Sequence, residues 1–334
     1  ADTAAKLNAA LKDASSADAL TLSVNGATAA AKDLLTLADK TSVAIKLNVG
    51  AITGNITEIT KVFTSTGEFV ALDLGAAAAT ISGTVKATDA DVVAAKTTGV
   101  VTATIQADTA AQLVADFSTS VGTSTGIDRL KFTVTGDNAT AANLNTIDGL
   151  TAETVNAAAI KNINGTTATG AVDVNAVYLA AQKGDISGLG NETVTFSTTT
   201  VDADINLVNA INNFTTGVIT LPTLTFDKGA DKTTEALNLG TDLGDLGGIT
   251  GLAKIDAVNT EVDTITMTLA NLLAANDGST SGSGLAFTIV GDNAGTDTLA
   301  ISDITGWTLT GGTYDVSAPV VASKSGTLIY TKTG

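Results

Sequence analysis

The sequence has no cysteine and no histidine. Without cysteine there is no disulfide, no thiol nucleophile and no thiolate-held metal. Without histidine there is no Ser-His-Asp chemistry, no imidazole-held zinc and no side chain that titrates by itself near neutral pH. Arginine occurs once, at Arg129, and 17 basic residues stand against 34 acidic ones, a net charge of −17. Phosphate recognition needs clustered Lys and Arg, so nucleic acid is disfavoured as a partner. Aromatic residues make up 4% of the chain, too few for a row of sugar-stacking platforms. No apolar run reaches the roughly 18 residues of a membrane span. No basic and then apolar signal peptide opens the chain.

What is present is patterned. Hydrophobic residues make up 44% of the chain, mostly Ala, Val, Leu and Ile, with abundant Thr. That composition allows a continuous core of small side chains. The clearest pattern is RLKFTVTGDNATAANLNTIDG, Arg129–Gly149. Leu130, Phe132 and Val134 alternate with Arg129, Lys131, Thr133 and Thr135, the period-2 mark of a strand with one wet face. Gly136, Asp137 and Asn138 predict a turn. Asn138 or Thr140 is placed to cap a helix, and Leu144 and Ile147 share its inward face.

Variations on this unit fill the chain up to Phe226. Helices are expected at Ala1–Ala17, Thr28–Lys40, Asn55–Phe63, Thr88–Lys96, Ala107–Phe117, Val172–Gln182 and Asp202–Asn212, besides the one after Asn138. Asn25-Gly26 reads as a turn. Strands are expected to start near Leu20, Val43, Val70, Val101, Leu130, Thr154, Val194 and Val218, at intervals of about 22 to 40 residues, which is the mark of stacked supersecondary units. Strands joined through helices pair in parallel. Alternation rather than unbroken apolar runs predicts helices on one face and water or a partner on the other.

The expected fold is therefore an α/β solenoid of stacked strand-turn-helix coils over residues 1–226, with one continuous parallel sheet. About eight coils at about 4.8 Å each give a sheet about 40 Å long. Leu22, Ile45, Leu72, Ala103, Phe132 and Val194 are expected to face the helices. Residues 227–249 read as a Gly- and Asp-rich boundary. Residues 250–334 read as a mostly β module that caps or joins the stack, with Ser279–Gly284 a linker by composition.

Two segments, KATDADVVAAKTTGVVTATI (Lys86–Ile105) and VTGDNATAANLNTIDGLTAETVNAAAIKNINGT (Val134–Thr166), resemble repeat segments of very large secreted bacterial surface proteins of the S-layer-like and RTX-adhesin-like kind. The resemblance implies an extracellular, structural or adhesive role, often with calcium, and export without a cleavable signal peptide. Tandem glycine-rich calcium nonapeptides are not present. DNAGTDTLA, Asp292–Ala300, resembles one degraded copy.

Candidate chemistry is sparse. Asp292, Asn293, Asp297 and Asp303 offer oxygen ligands on a tight turn, which suits calcium, a hard cation; an ordinary Asx-rich turn is the competing reading. Asp89 with Asp91, and Asp202 with Asp204, could be read as hydrolytic carboxylate pairs, but both open helices, where acids favour the dipole. Asn55, Asn138, Asn164, Asn191 and Asn213 begin N-x-Thr triplets, which chance alone supplies in a Thr-rich chain. The glycines of Gly244–Gly248 neither follow a strand nor open a helix, which disfavours nucleotide binding.

The leading expectation is a non-enzymatic structural protein of an S-layer, extracellular filament or giant adhesin, associating head to tail as a homo-oligomer or filament. The alternatives are a carbohydrate- or calcium-binding adhesion module, with cell-surface polysaccharide as a partner, and a polysaccharide-active enzyme.

Overall fold

The computed structural model describes residues 1–70, 74–117, 128–197, 200, 203, 205–225, 234–238, 249–257, 262–268, 288–291, 298–302, 307–312 and 328–332. Eight α-helices are described, besides a short 3-10 helix at Leu74–Ala76: α1 (Ala4–Ala10), α2 (Ala31–Ala38), α3 (Ile56–Thr64), α4 (Ala87–Ala94), α5 (Ala110–Asp116), α6 (Ala141–Gly149), α7 (Gly170–Lys183) and α8 (Ile205–Phe214). The strands are β1 (Ser23–Ala30), β2 (Ile45–Asn55), β3 (Phe69–Val70), β4 (Ala78–Val85), β5 (Val101–Ile105), β6 (Asp108–Thr109), β7 (Arg129–Lys131), β8 (Val134–Thr135), β9 (Asn138–Thr140), β10 (Val155–Asn156), β11 (Asn162–Gly165) and β12 (Ile186–Ser187). They continue with β13 (Thr193–Phe196), β14 (Ile219–Thr220), β15 (Thr223–Thr225), β16 (Thr234–Asn238), β17 (Ile249–Thr250), β18 (Lys254–Ala257), β19 (Val262–Thr268), β20 (Thr288–Gly291), β21 (Thr298–Ser302), β22 (Trp307–Gly312) and β23 (Leu328–Lys332).

The chain divides into two compact units. The first comprises Ala1–Gly136, Asn143–Ala159 and Ala180–Gly188; the second comprises Asp137–Ala142, Ile160–Leu179 and Leu189–Gly334. In the first, a parallel sheet runs β1-β2-β4-β5-β7, with β3 also on β2. Sheet order follows chain order. Ile45, Leu47 and Val49 are buried while Lys46, Asn48 and Gly50 between them are exposed. Successive helices pack side by side, α1 on α2, α2 on α3, α3 on α4 and α4 on α5. Leu34 and Leu37, like Ile59 and Val62, lie three apart and are fully buried, as one helical face requires. Side-chain caps start three of these helices: Thr3 Oγ1 accepts from Lys6 N–H, Asn55 Oδ1 from Glu58 N–H, and Thr109 Oγ1 from Gln112 N–H.

In the second unit the parallel order is β9-β11-β13-β14-β17, again that of the chain. Two three-stranded parallel sheets follow, β15-β18-β20 and β16-β19-β21. β22 and β23 pair antiparallel. Every described element after α8 is a strand.

The structure corrects three expectations. The strands up to Phe226 do not form one continuous sheet. β7, β8 and β9 follow one another within a dozen residues yet pair in three different sheets. The chain bends between them, the last time at Gly136, whose φ of 85° favours glycine. Asn25-Gly26 is not a turn: both residues lie inside β1, in register with Asn48 and Val49 of β2, so pairing outweighs local turn preference. Helix α1 ends at Ala10 rather than Ala17: Leu11 leaves helical geometry at φ −103° and ψ 34°, and a separate turn follows in which Asp18 Oδ2 accepts from Ser15 N–H. Of the inward set, Ile45, Ala103, Phe132 and Val194 are buried and Leu22 is half-buried; Leu72 lies outside the described residues. Most of residues 227–249 lies outside them as well.

One packing device recurs and escaped the periodicity reading. A buried threonine follows α2, α4, α6 and α8: Thr41, Thr97, Thr151 and Thr215. Each hydroxyl reaches the backbone of the preceding turn of chain. Thr97 Oγ1 donates to Ala77 O at 2.6 Å and accepts from Gly99 N–H at 2.9 Å. Thr215 Oγ1 donates to Glu192 O at 2.6 Å and accepts from Gly217 N–H at 3.0 Å. Thr41 and Thr151 do the same for Leu20 and Leu130. The glycine after the Thr-Thr pair is required by space. A Cβ on Gly99 would lie 2.5 Å from the Ala77 backbone, and one on Gly217 would strike Glu192 O. Thr97→Val keeps the volume but strands these backbone groups. It should cost about 1–3 kcal/mol in denaturant melting; a loss indistinguishable from zero would remove the hydroxyl from this role.

Candidate functional site

Asp292, Asn293, Asp297 and Asp303, the calcium ligands expected from the sequence, lie outside the described residues. So do Asp202 and Asp204. Asp89 and Asp91 sit two apart in α4, a spacing that points side chains to different faces. Among the described residues no cluster of three or more acids could hold a metal.

The most organised polar surface is the outward face of β9-β11-β13-β14-β17. Ala139, Ile163, Val194, Ile219 and Ile249 are buried in register behind it. In front stand two ranks. Asn138, Asn162 and Thr193 form one; Thr140, Asn164, Thr195, Thr220 and Thr250 form the other. Asn162 ties the ranks together. Its Nδ2 donates to Asn138 Oδ1 at 3.2 Å and to Asn164 Oδ1 at 3.0 Å. Its Oδ1 accepts from Thr193 and Thr195 hydroxyls, both at 2.9 Å. Parallel strands lie about 4.8 Å apart, so these side chains repeat at that step. The face carries donors and acceptors but no charge and no aromatic ring. It can hydrogen-bond a neutral polar partner and holds no activated nucleophile. Beside it, Lys161 Nζ pairs with Asp137 at 2.9 Å.

Asn138 and Asn164 were legible only as N-x-Thr triplets, and Asn138 as part of a turn or cap. The useful signal was Asn-x-Thr, Asn-x-Asn and Thr-x-Thr recurring at 138, 162 and 193. Asn55, another such triplet, is committed to its helix cap. Asn191 and Asn213 are exposed.

Two further acids matter. Glu192 is fully buried, and both its oxygens accept from Gly190 N–H at 2.9 Å while Tyr178 Oη donates to Oε2 at 3.3 Å. Burial, more than the neighbouring Glu192, pushes the Tyr178 phenol far above its ordinary range. Tyr178 also stacks on Phe214 at 5.5 Å. This is a closed structural network rather than an accessible acid.

In the first unit, burial raises the Asp148 carboxyl, and Asp185 adds to the rise while Lys183 opposes it. A carboxyl raised in the folded state is a penalty on folding. The penalty is absent below the unfolded value, grows as pH rises toward the folded value, and is complete above it. Asp148→Asn should therefore raise the melting temperature at pH 7, with the gain vanishing near pH 3. An equal gain at both pH values would contradict the cause given.

No protein-family model matches the chain, and searches of curated proteins and of solved structures found no match. No described helix is long and apolar enough to cross a membrane.

Proposed function

We propose that the chain is a structural protein of a bacterial cell surface, built as a stack of coils that joins other copies end to end. The observation that carries this reading is the strand order. From Ser23 onward each principal strand pairs in parallel with a later one, in chain order, in both units. A stack made that way is stabilised by neighbour on neighbour and has unlike ends. Joining unlike ends is a heterologous contact, which grows openly unless a rotation closes it. A charge of −17 per chain opposes the contact at low salt. Divalent cations screen and bridge such charge, and calcium is the proposed cofactor, with Asp292, Asn293 and Asp297 as its ligands; Asp303 is dropped from the set, because the extended strand β21 (Thr298–Ser302) separates it from Asp297 by far more than one ion spans. The Asn/Thr ranks favour a second reading, an adhesion module for a neutral cell-surface polysaccharide.

Sedimentation velocity decides between the two. End-to-end joining predicts a weight-average mass that rises with protein concentration and with millimolar calcium and falls with chelator. A monomer at high concentration in calcium would discard it and leave the adhesion reading.

A further inference from the structure

The Asn/Thr face of β9-β11-β13-β14-β17 is polarised by its own hydrogen bonds. A side-chain amide donates at one end and accepts at the other. Asn162 Nδ2 gives its two hydrogens to Asn138 Oδ1 and Asn164 Oδ1, so both of those amides turn their oxygens toward Asn162. Among the described residues nothing accepts from Asn138 Nδ2 or Asn164 Nδ2, and their hydrogens are left to solvent. On the other side Thr193 and Thr195 direct their hydroxyl hydrogens to Asn162 Oδ1. The Lys161 carbonyl, at 3.2 Å, is a second acceptor for Thr193. Both threonine oxygens keep lone pairs for a partner. One half of the face therefore donates and the other half accepts. The face carries no charge, on a chain with 34 acidic and 17 basic residues. The ions beside it, Lys161 and Asp137, pair with each other. Val218, just before β14 and 40% exposed, adds an aliphatic contact beside Thr193.

We infer that this face binds an uncharged cell-surface polysaccharide through free hydroxyls, which accept from Asn138 and Asn164 and donate to Thr193 and Thr195. A hydroxyl is donor and acceptor at once, so neighbouring hydroxyls of a sugar chain satisfy both halves. An ether in their place only accepts and leaves the threonine oxygens unmatched. A carboxylate would meet no counter-charge on the face and would lose hydration without compensation. The net charge of −17 would also repel it. No ring is present to stack on a sugar, so a single sugar is held weakly, and retention comes from repetition along the ranks and along the glycan. Thr220 and Thr250 extend the second rank with hydroxyls that make no hydrogen bond among the described residues. This inference rests on the adhesion reading above and gives it a donor and acceptor pattern.

In the test, the full chain is passed over immobilised β-glucan and mannan, over the same two polymers O-methylated, and over a polyuronate, with binding read by surface plasmon resonance. At least one unsubstituted polymer should bind at least about tenfold more tightly than its methylated form and than the polyuronate. Asn138→Asp and Asn164→Asp keep the oxygen that Asn162 bonds and replace the free amino group with an acceptor. Each should weaken that binding at least about tenfold. Asn48→Asp adds the same charge at an exposed position on β2 and should match the parent chain. Thr220→Val removes a hydroxyl that bonds nothing else described and should weaken binding about threefold. It carries the comparison if circular dichroism melting shows that the Asp variants do not fold. Folded face variants that bind like the parent would overturn this surface and leave the adhesion reading intact. Equal binding of a methylated polymer or of the polyuronate would overturn the hydroxyl pattern and again leave that reading. A parent chain that binds none of the five overturns both.

Discussion

Phe132→Ala should lower the unfolding free energy by about 3–5 kcal/mol, the range for emptying a buried aromatic site. Phe132 is 2% exposed and meets Phe117 edge to face, with centroids 5.4 Å apart and planes at 85°. It lies between β7 and β8, where the chain passes from one sheet to another. Phe117→Ala should also be costly, and the double variant should cost less than the sum, with a coupling of about 0.5–1.5 kcal/mol from the ring pair. Urea melting of the four proteins measures it. A single-variant loss under about 1 kcal/mol would mean that the ring is not buried as described.

Glu192→Ala should be nearly as damaging, at about 2–5 kcal/mol. The substitution leaves the buried Tyr178 hydroxyl and the half-buried Gly190 N–H without their shared acceptor, at about 1–3 kcal/mol for the buried group and less for the other, and it empties a fully buried site. Tyr178→Phe removes only one donor and leaves the carboxylate its Gly190 bonds, so it should cost about 1 kcal/mol. The ordering is the informative part. If Tyr178→Phe proved as costly as Glu192→Ala, the phenol and not the carboxylate would be the centre of the network.

All eight described α-helices were legible in the sequence, because each carries apolar residues three or four apart and several open on Thr or Asn. The buried phase of the strands was equally plain from Ile45, Ala103, Phe132 and Val194. What alternation could not show was where one sheet ends and the next begins, since inward and outward residues alternate on either side of a bend. Nor could it see Asn25-Gly26 as strand, because the pairing that holds them comes from β2. The polar ranks were hidden for a related reason. A Thr or Asn on a wet face looks the same whether it stands alone or in register with others, and register is set by the pairing of strands distant in sequence. Thr97 and Thr215 were hidden by their company: Thr-Thr-Gly after a helix reads as a loop, while its first hydroxyl makes a buried bond to the backbone of Ala77 or Glu192. The calcium proposal at Asp292, Asn293 and Asp297 comes from residue types alone; alternation did not separate the strand Thr298–Ser302 from the turn expected around it.

Electron microscopy of the purified chain, with millimolar calcium and with chelator, tests the central claim most directly. Stacked coils joined end to end predict filaments or lattices of indefinite length in calcium that shorten or disperse with chelator. Single particles of uniform size in both conditions, at concentrations where sedimentation is done, would contradict it.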